Sequence, residues 1–213
     1  MDTFYYIDPV TAWSKRLSDI LLASTGLLIT LPLFPLIALA VKLNSRGPIF
    51  FRQLRIGKAM PDHVALFEMI KFRTMVQDAE RHSGATWATK NDPRITVVGL
   101  FLRRTRLDEL PQFFNVLKGE MSMIGPRPER PGFYQQLENN IPFFAERTYG
   151  VAPGITGLAQ VSQGYDTSID DVRSKVGFDH GYGLALGSFV SWLKMDATIV
   201  LRTIAVMLMG RGQ

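Results

Sequence analysis

The sequence predicts an α+β chain, mostly helical: a re-entrant membrane helix-break-helix, then a compact cytoplasmic domain with a short β-hairpin and interfacial helices. Three observations predict it. Ile20 to Val41 is 22 residues without a charge. Pro32 and Pro35 interrupt that run just past its middle, and Lys or Arg flanks both of its ends. Beyond it, two apolar triplets surround a polar stretch, and apolar residues then recur at helical spacing.

Residues 1–14 read as an interfacial lead, because Phe4, Tyr5, Tyr6 and Trp13 are side chains that prefer the membrane–water boundary. Residues 15–43 read as the membrane segment. A straight helix over the uncharged run would reach ~33 Å, about the hydrocarbon thickness of a bilayer. Lys15 and Arg16 precede it, and Lys42 and Arg46 follow it. Positive charge marks the cytoplasmic side, and here it marks both ends. Each proline removes a backbone donor and crowds the preceding turn, so a bend is expected, with Pro32 at the bend. Ser24, Thr25 and Thr30 can offer hydroxyls to the freed backbone groups. A helix that dips into one leaflet and returns satisfies both facts. Prolines also occur in spanning helices, so a straight span, a buried core helix and a cleaved signal peptide stand as alternatives.

Residues 44–213 read as the cytoplasmic or interfacial domain. Ile49-Phe50-Phe51 and Ala65-Leu66-Phe67 read as two short strands around a polar loop at Gly57 to Asp62. Residues 74–84 read as helix, 85–93 as loop and Val97 to Arg104 as helix. Asp108 to Lys118 reads as one helix, Tyr134 to Glu138 as a short one. Pro153-Gly154 and Thr156-Gly157 read as consecutive turns. Helices are expected near Ile169 to Lys175 and over Phe189 to Met209, the last strongly apolar but unsuited to a span because of Asp196 and Arg202.

Composition removes whole classes of function. The 213 residues include no Cys, which excludes disulfide scaffolds, zinc-thiolate sites, iron–sulfur clusters and Cys nucleophiles. The three His (His63, His82, His180) make a His-rich metal site a poor fit. The formal net charge is +5, and residues 42–106 alone carry 13 Lys or Arg against 5 Asp or Glu. A basic segment beside a membrane anchor suits lipid head groups or phosphates. Walker, Rossmann, HExxH and GxSxG patterns are missing, as are nucleic-acid-binding motifs.

Four clusters can carry chemistry. Asp108-Glu109 precedes Pro111, which is tolerated only in the first turn of a helix. The two carboxylates are then expected at or just before a helix start, where the ionised form is favoured. An ionised Asp can act as a nucleophile, and an adjacent Glu can hold a divalent metal. A capping box from Thr105 to Asp108 is the conformational alternative. Gly125-Pro126-Arg127-Pro128 fixes the backbone around Arg127, and a rigid guanidinium grips phosphate through two donors. Lys71-Phe72-Arg73 would place two cations on one face if extended. Pro153-Gly154-Ile155-Thr156-Gly157 could let backbone amides approach a ligand. An acidic pair, several cations and a membrane dip together suit phosphoryl transfer at a membrane surface.

These residues resemble the bacterial sugar transferase family, the monotopic phosphoglycosyl transferases. The resemblance rests on short motifs that occur in order: Lys15-Arg16 with the apolar run, Ser45-Arg46-Gly47-Pro48, Phe51-Arg52-Gln53, Lys71-Phe72-Arg73-Thr74-Met75, Asp92-Pro93-Arg94-Ile95-Thr96, Leu107-Asp108-Glu109-Leu110-Pro111-Gln112, Asn115 to Ser122, Ile124 to Pro128 and Pro153 to Val161. It covers nearly the whole chain, at the length of the minimal catalytic form. The resemblance implies transfer of a sugar-1-phosphate from a UDP-sugar to a polyprenyl phosphate such as undecaprenyl phosphate, with UMP released. It implies a ping-pong course in which Asp108 forms a covalent phosphosugar intermediate and Glu109 binds Mg²⁺. Lys71, Arg103, Arg127 and Asp179 fall where the family has further active-site residues, and Arg73 joins them as a phosphate-binding candidate. It also implies a monotopic enzyme of the bacterial cytoplasmic membrane, facing the cytoplasm, with the helix bent at Pro32. No nucleic-acid partner is expected, and the apolar last helix leaves room for a homodimer. The chain departs from the family in three places. Leu31 precedes Pro32 where Ser is common, Ser162-Gln163-Gly164 replaces Asn-Gly-Arg, and the Gly-rich residues 177–192 replace a Tyr-rich stretch. Direct single displacement, and a non-catalytic adaptor that binds anionic lipid, are the competing readings.

Overall fold

The computed structural model describes residues 6–79, 92–163 and 168–209. Helix α1 (Pro9–Thr30) begins earlier than expected. Asp8 accepts hydrogen bonds from the Thr11 backbone N–H (2.8 Å) and hydroxyl (3.0 Å), and Pro9 occupies the first position, where its missing N–H costs nothing. Much of the expected lead is therefore the start of the long apolar helix; Phe4 and Tyr5 lie outside the described residues. The helix breaks where the prolines predict. Leu31–Leu33 form a 3₁₀ turn around Pro32, and α2 (Phe34–Asn44) restarts with Pro35 in its first turn. The Thr30 hydroxyl donates back to the Gly26 carbonyl at 2.6 Å, the type of bond that bends helices.

Pro9–Asn44, which contains an 18-residue window of mean hydropathy 2.2, is among the described residues the one helical stretch long and apolar enough to cross a bilayer. One face of it is exposed, through Leu21, Leu22, Leu28, Ile29, Leu36 and Leu39. The other packs on the domain: Leu27, Phe34, Ile37 and Val41 are buried with Phe72 and Leu102, and Ala23 with Val116 and Met121. Both ends are tied to that same body. At one end the Lys15 ammonium donates to the Ile124 carbonyl (2.9 Å), the Arg16 guanidinium donates to the Val116 and Leu117 carbonyls (2.7 and 2.8 Å), and Asp19 accepts from Ser122 and the Met123 N–H. At the other, Arg73 donates to carbonyls of Val41, Ser45 and Arg46. Lys15 and Arg16, which precede the apolar run, are thus structural ties.

The hairpin is longer than the apolar triplets suggest. Strands β1 (Phe50–Ala59) and β2 (Val64–Phe72) run antiparallel, with Phe50 opposite Phe72 and an irregularity between Ile56 and Ala59. The helix expected over 74–84 does not start. Met75 pairs with Ile95, the Thr74 carbonyl accepts from the Thr96 N–H at 3.0 Å, and a turn follows at 77–79. Tertiary pairing of this backbone overrides its local helical pattern. The remainder of that stretch, and most of the loop expected at 85–93, lies outside the described residues.

Helix α3 (Val97–Arg104) is capped by the Thr96 hydroxyl, and α4 (Gln112–Lys118) stops at Gly119, whose φ of 85° suits glycine. Strands β3 (Ser122–Ile124) and β4 (Gly154–Thr156) pair in parallel. The stretch read as consecutive turns is thus in part a strand. Its glycine has a packing reason: a Cβ on Gly125 or Gly154 would run into the opposing backbone. Helices α5 (Pro131–Asn140), α6 (Leu158–Ser162), α7 (Ile169–Ala185) and α8 (Phe189–Leu208) complete the chain. The α7 helix runs past Lys175 despite Gly177, Gly181 and Gly183. A Ser168–Asp171 capping box starts it, and burial of Val172, Val176, Asp179 and Tyr182 holds it. One face of α8 buries Trp192 and Ile199 against Tyr182 and Ile124, and Val190, Leu193, Leu201 and Ile204 stay exposed.

Candidate active site

The acidic pair sits in a tight turn between α3 and α4. The helix expected from Asp108 to Lys118 is divided. Leu107–Glu109 form a 3₁₀ turn, and Pro111 stands at the N-terminal boundary of α4 instead of inside it. Thr105 makes no capping box: its hydroxyl donates backwards to the Phe101 and Leu102 carbonyls. Arg106 enters the turn with φ 58°, a left-handed conformation that an Arg adopts at a cost of about 1–3 kcal/mol.

The two carboxyls have different surroundings. Asp108 is buried, and its Oδ1 has no hydrogen-bond partner. Burial, and then the Glu109 charge, push Asp108 up to about 6, against the pull of Lys71, Arg103 and Arg106. A carboxylate stabilised by a helix N-terminus was expected; the observed environment works the other way, because the turn is buried and acid lies beside acid. Burial pushes Glu109 up too, but Lys71, Arg106 and Arg127 outweigh it and bring it down to about 2. The Lys71 ammonium donates to Glu109 Oε1 at 2.7 Å, and Arg106 lies 3.8 Å from the same oxygen.

The remaining predicted residues divide into those around this turn and those behind it. Lys71 reaches it from the end of β2, and Arg103 from the last turn of α3, with its Nε donating to the Thr74 hydroxyl at 3.0 Å. Arg73 does not join Lys71. It is buried, and its guanidinium is committed to the three carbonyls at the end of α2. The strand stops at Phe72, so the alternation that would have aligned the two cations stops with it. Arg73 is accordingly a structural tie to the end of α2.

Arg127 follows β3, and its backbone is gripped on both sides. The Gly125 N–H donates to the Thr156 carbonyl, the Gly154 N–H donates to the Pro126 carbonyl, and Arg55 donates to the Pro128 carbonyl. Arg147, which the sequence reading missed, donates to the Arg127 carbonyl at 3.1 Å and to Asp179 Oδ2 at 2.8 Å. Both members of that pair are buried. Asp179 is thus tied to the Arg127 backbone through Arg147. Burial raises its pKa, and the Arg147 charge opposes the rise. Arg147 lies outside every recognisable motif; its only signal in the sequence is a lone cation after Phe143-Phe144-Ala145.

Two hollows open on this frame and share Arg127. One is lined by Lys71, Glu109, Gln112, Arg55 and Arg127. The other lies toward α6 and α7. Among the described residues no group of three or more acidic or His side chains is placed to enclose a metal ion. A Mg²⁺ ion is commonly held by one or two carboxylates plus substrate phosphates. Asp108, with its unpartnered oxygen, and ionised Glu109 fit that pattern.

The family model described as bacterial sugar transferase matches residues 10–210. Three relatives are similar to the chain. The Aeromonas hydrophila UDP-N-acetylgalactosamine-undecaprenyl-phosphate N-acetylgalactosaminephosphotransferase is 46% identical over 204 residues, 96% of this chain and 46% of that protein. The Escherichia coli UDP-glucose:undecaprenyl-phosphate glucose-1-phosphate transferase is 45% identical over 170 residues, 79% of this chain and 35% of that protein. The exopolysaccharide production protein ExoY of Rhizobium meliloti is 36% identical over 221 residues, 97% of this chain and 90% of that protein. The chain thus spans under half the length of the first two relatives.

Proposed function

The chain belongs to the bacterial sugar transferase family, and from that premise we propose that it transfers a sugar-1-phosphate from a UDP-sugar to undecaprenyl phosphate. UMP leaves, and the product is a polyprenyl diphosphate sugar, formed at the first membrane step of a polysaccharide or glycoconjugate. One observation carries the reading. A buried carboxyl with an unpartnered oxygen, Asp108, stands next to an ionised Glu109 inside a ring of Lys71, Arg103, Arg106 and Arg127. Such a ring offsets the charge of a diphosphate and leaves one carboxylate free to react.

The course is ping-pong. An Asp108 carboxylate oxygen forms a bond to the β-phosphorus of the donor, and the bond from that phosphorus to the bridging oxygen breaks, with the electron pair leaving on UMP. An oxygen of the lipid phosphate then bonds to the same phosphorus, and the acyl-phosphate bond breaks to restore the Asp108 carboxylate. Lys71 orients Glu109, and Arg127, held by its gripped backbone, steadies the non-bridging oxygens. Glu109 would hold Mg²⁺, which when bound supplies charge neutralisation at the diphosphate.

The membrane helix enters and leaves one leaflet. Its support is the tying of both ends, Lys15-Arg16 and Val41-Arg46, to one domain, together with the break at Pro32. The domain then lies on the cytoplasmic face of the bacterial inner membrane, where the exposed apolar faces of α1, α2 and α8 meet lipid. The lipid phosphate is thereby held at head-group depth, near Asp108.

The test is intact-mass measurement of the protein during turnover of a UDP-sugar without acceptor, with UMP release recorded in parallel. The wild type gains the mass of one phosphosugar, and Asp108→Asn gains none and releases no UMP. An adduct on the Asn variant removes Asp108 as nucleophile. Steady transfer by the wild type with no adduct at any time favours direct displacement.

A further inference from the structure

We infer that the hollow beside Glu109 is an oxyanion pocket for the transferred phosphoryl group, in which Gln112 Nε2 and Arg55 Nε donate to one non-bridging oxygen on the β-phosphorus of the donor. The inference rests on the transfer proposed above and adds two residues to those that meet the substrate.

Two buried donors at this hollow lack partners. Gln112 is 3% exposed, and its Nε2 has no hydrogen-bond partner among the described residues. Arg55 commits its terminal nitrogens to protein: Nη1 donates to the Pro128 carbonyl at 3.0 Å and Nη2 to Gln53 Oε1 at 2.6 Å. Its Nε is buried and has no partner among the described residues. Both residues line the same hollow, together with Lys71, Glu109 and Arg127. Each orphaned donor costs the fold about 1–3 kcal/mol. Burial, and then the Arg127 charge, lower the Arg55 pKa to about 10, so two guanidinium groups are held near one another against their repulsion. An anionic oxygen answers all of this, because it accepts from both donors and offsets the positive charge.

Size selects the same occupant. The hollow has room for about one water-sized group, so it takes an oxygen atom and no ring. Position then identifies the phosphorus. Leu110 and Pro111 keep the right-handed helical backbone, which puts Gln112 one turn beyond Asp108 on the same face. Arg55 approaches from β1, fixed to the residue that follows Arg127. The oxygen these two donors share therefore belongs to the phosphorus that Asp108 attacks. That phosphoryl group persists through both displacements, so the same donors serve the attack by Asp108 and the later attack by the lipid phosphate.

The experiment measures transfer to undecaprenyl phosphate in detergent by wild type, Gln112→Met, Gln112→Glu and Arg55→Lys, with the melting temperature of each. The donor is UDP-glucose or UDP-N-acetylgalactosamine, whichever turns over faster. Its analogues carry sulfur in place of one non-bridging oxygen on the α- or the β-phosphorus, as separated diastereomers. The wild type should slow with one β-thio diastereomer, because sulfur accepts hydrogen bonds poorly. Gln112→Met should lower kcat/KM for the all-oxygen donor by about ten- to hundredfold. It should also shrink the β-thio effect by about threefold or more and leave the α-thio effects within about twofold of wild type. Its melting temperature should equal or exceed that of the wild type, because an apolar side chain of similar size removes an unsatisfied donor. Arg55→Lys should shrink the effect of the same diastereomer. Gln112→Glu should lose more activity than Gln112→Met, because it turns an acceptor toward the anion.

Full activity in Gln112→Met would overturn the inference. So would a wild type with no β-thio effect, a β-thio effect that Gln112→Met leaves unchanged, or a change confined to the α-thio donors. A lowered melting temperature with unchanged thio effects would reduce Gln112 to a packing residue and overturn it too. Gln112→Glu more active than Gln112→Met would mean that the hollow holds a cation, against the inference. In each of these cases the transferase reading stands. A wild type that turns over no nucleotide sugar would defeat that reading, and the inference with it.

Discussion

Replacing Arg147 by Met separates the stability of the site from its chemistry. Arg147 and Asp179 are each 4% exposed, with Nη1 to Oδ2 at 2.8 Å. The guanidinium also lies 4.5 Å over the Phe144 ring and donates to the Arg127 carbonyl. Removing one partner of a buried pair leaves the other charge without compensation, at a cost of about 3–5 kcal/mol. That is a large part of the ~5–15 kcal/mol that holds a domain folded. Removing both partners with apolar residues of similar volume is commonly neutral. Arg147→Met with Asp179→Leu should therefore lie within about 1 kcal/mol of wild type, a coupling energy of at least about 5 kcal/mol by double-mutant cycle. Urea unfolding of the four proteins in one detergent measures it. The sign with pH is fixed. The Asp179 carboxyl is already raised above its ordinary value of 3.8, by burial first, and losing Arg147 raises it further. The single variant should regain stability as pH falls through that raised value, because protonation removes the buried charge. Transfer activity should stay low in both the single and the double variant, because each leaves the Arg127 carbonyl without its donor. A coupling below about 0.5 kcal/mol, or a double variant with full activity, would refute the claim that this pair holds Arg127 in place.

Two further outcomes follow from the same geometry. Gly125→Ala would drive a Cβ into the Ala152 carbonyl and the Gly154 N–H, so it should separate β3 from β4 and cost more than about 3 kcal/mol, with transfer lost before the hairpin unfolds; hydrogen exchange on the two regions distinguishes them. Arg73→Met should destabilise the chain by about 3 kcal/mol through loss of charge-assisted bonds to the end of α2, yet leave the donor KM of the surviving folded fraction within twofold. A donor KM raised tenfold would return Arg73 to the phosphate site.

The sequence reading succeeded where one local cause decides the outcome. Pro32 breaks the apolar helix because a ring without N–H cannot continue it, and Val97–Arg104 forms the expected helix. It failed where a distant segment competes. Residues 74–76 carry a helical pattern but pair with 94–96. Gly154 reads as a turn residue but pairs with a strand some thirty positions earlier. The Gly-rich stretch after Lys175 hides a helix whose stability comes from buried Tyr182 and Asp179 and not from propensity.

For the candidate site, residue types and their order indicated Asp108, Glu109, Lys71 and Arg127, which the fold brings to one turn. The roles within that set came from packing. Burial distinguished the two neighbouring carboxyls, one pushed up and one pulled down. The end of β2 sent Arg73 to the end of α2 and Lys71 to Glu109. Arg147 acquires meaning only through partners 20 and 32 positions away. Covalent order along the chain dictates what each residue can do; which of those capacities is used depends on desolvation and on through-space charge, and those exist only once the chain has closed on itself.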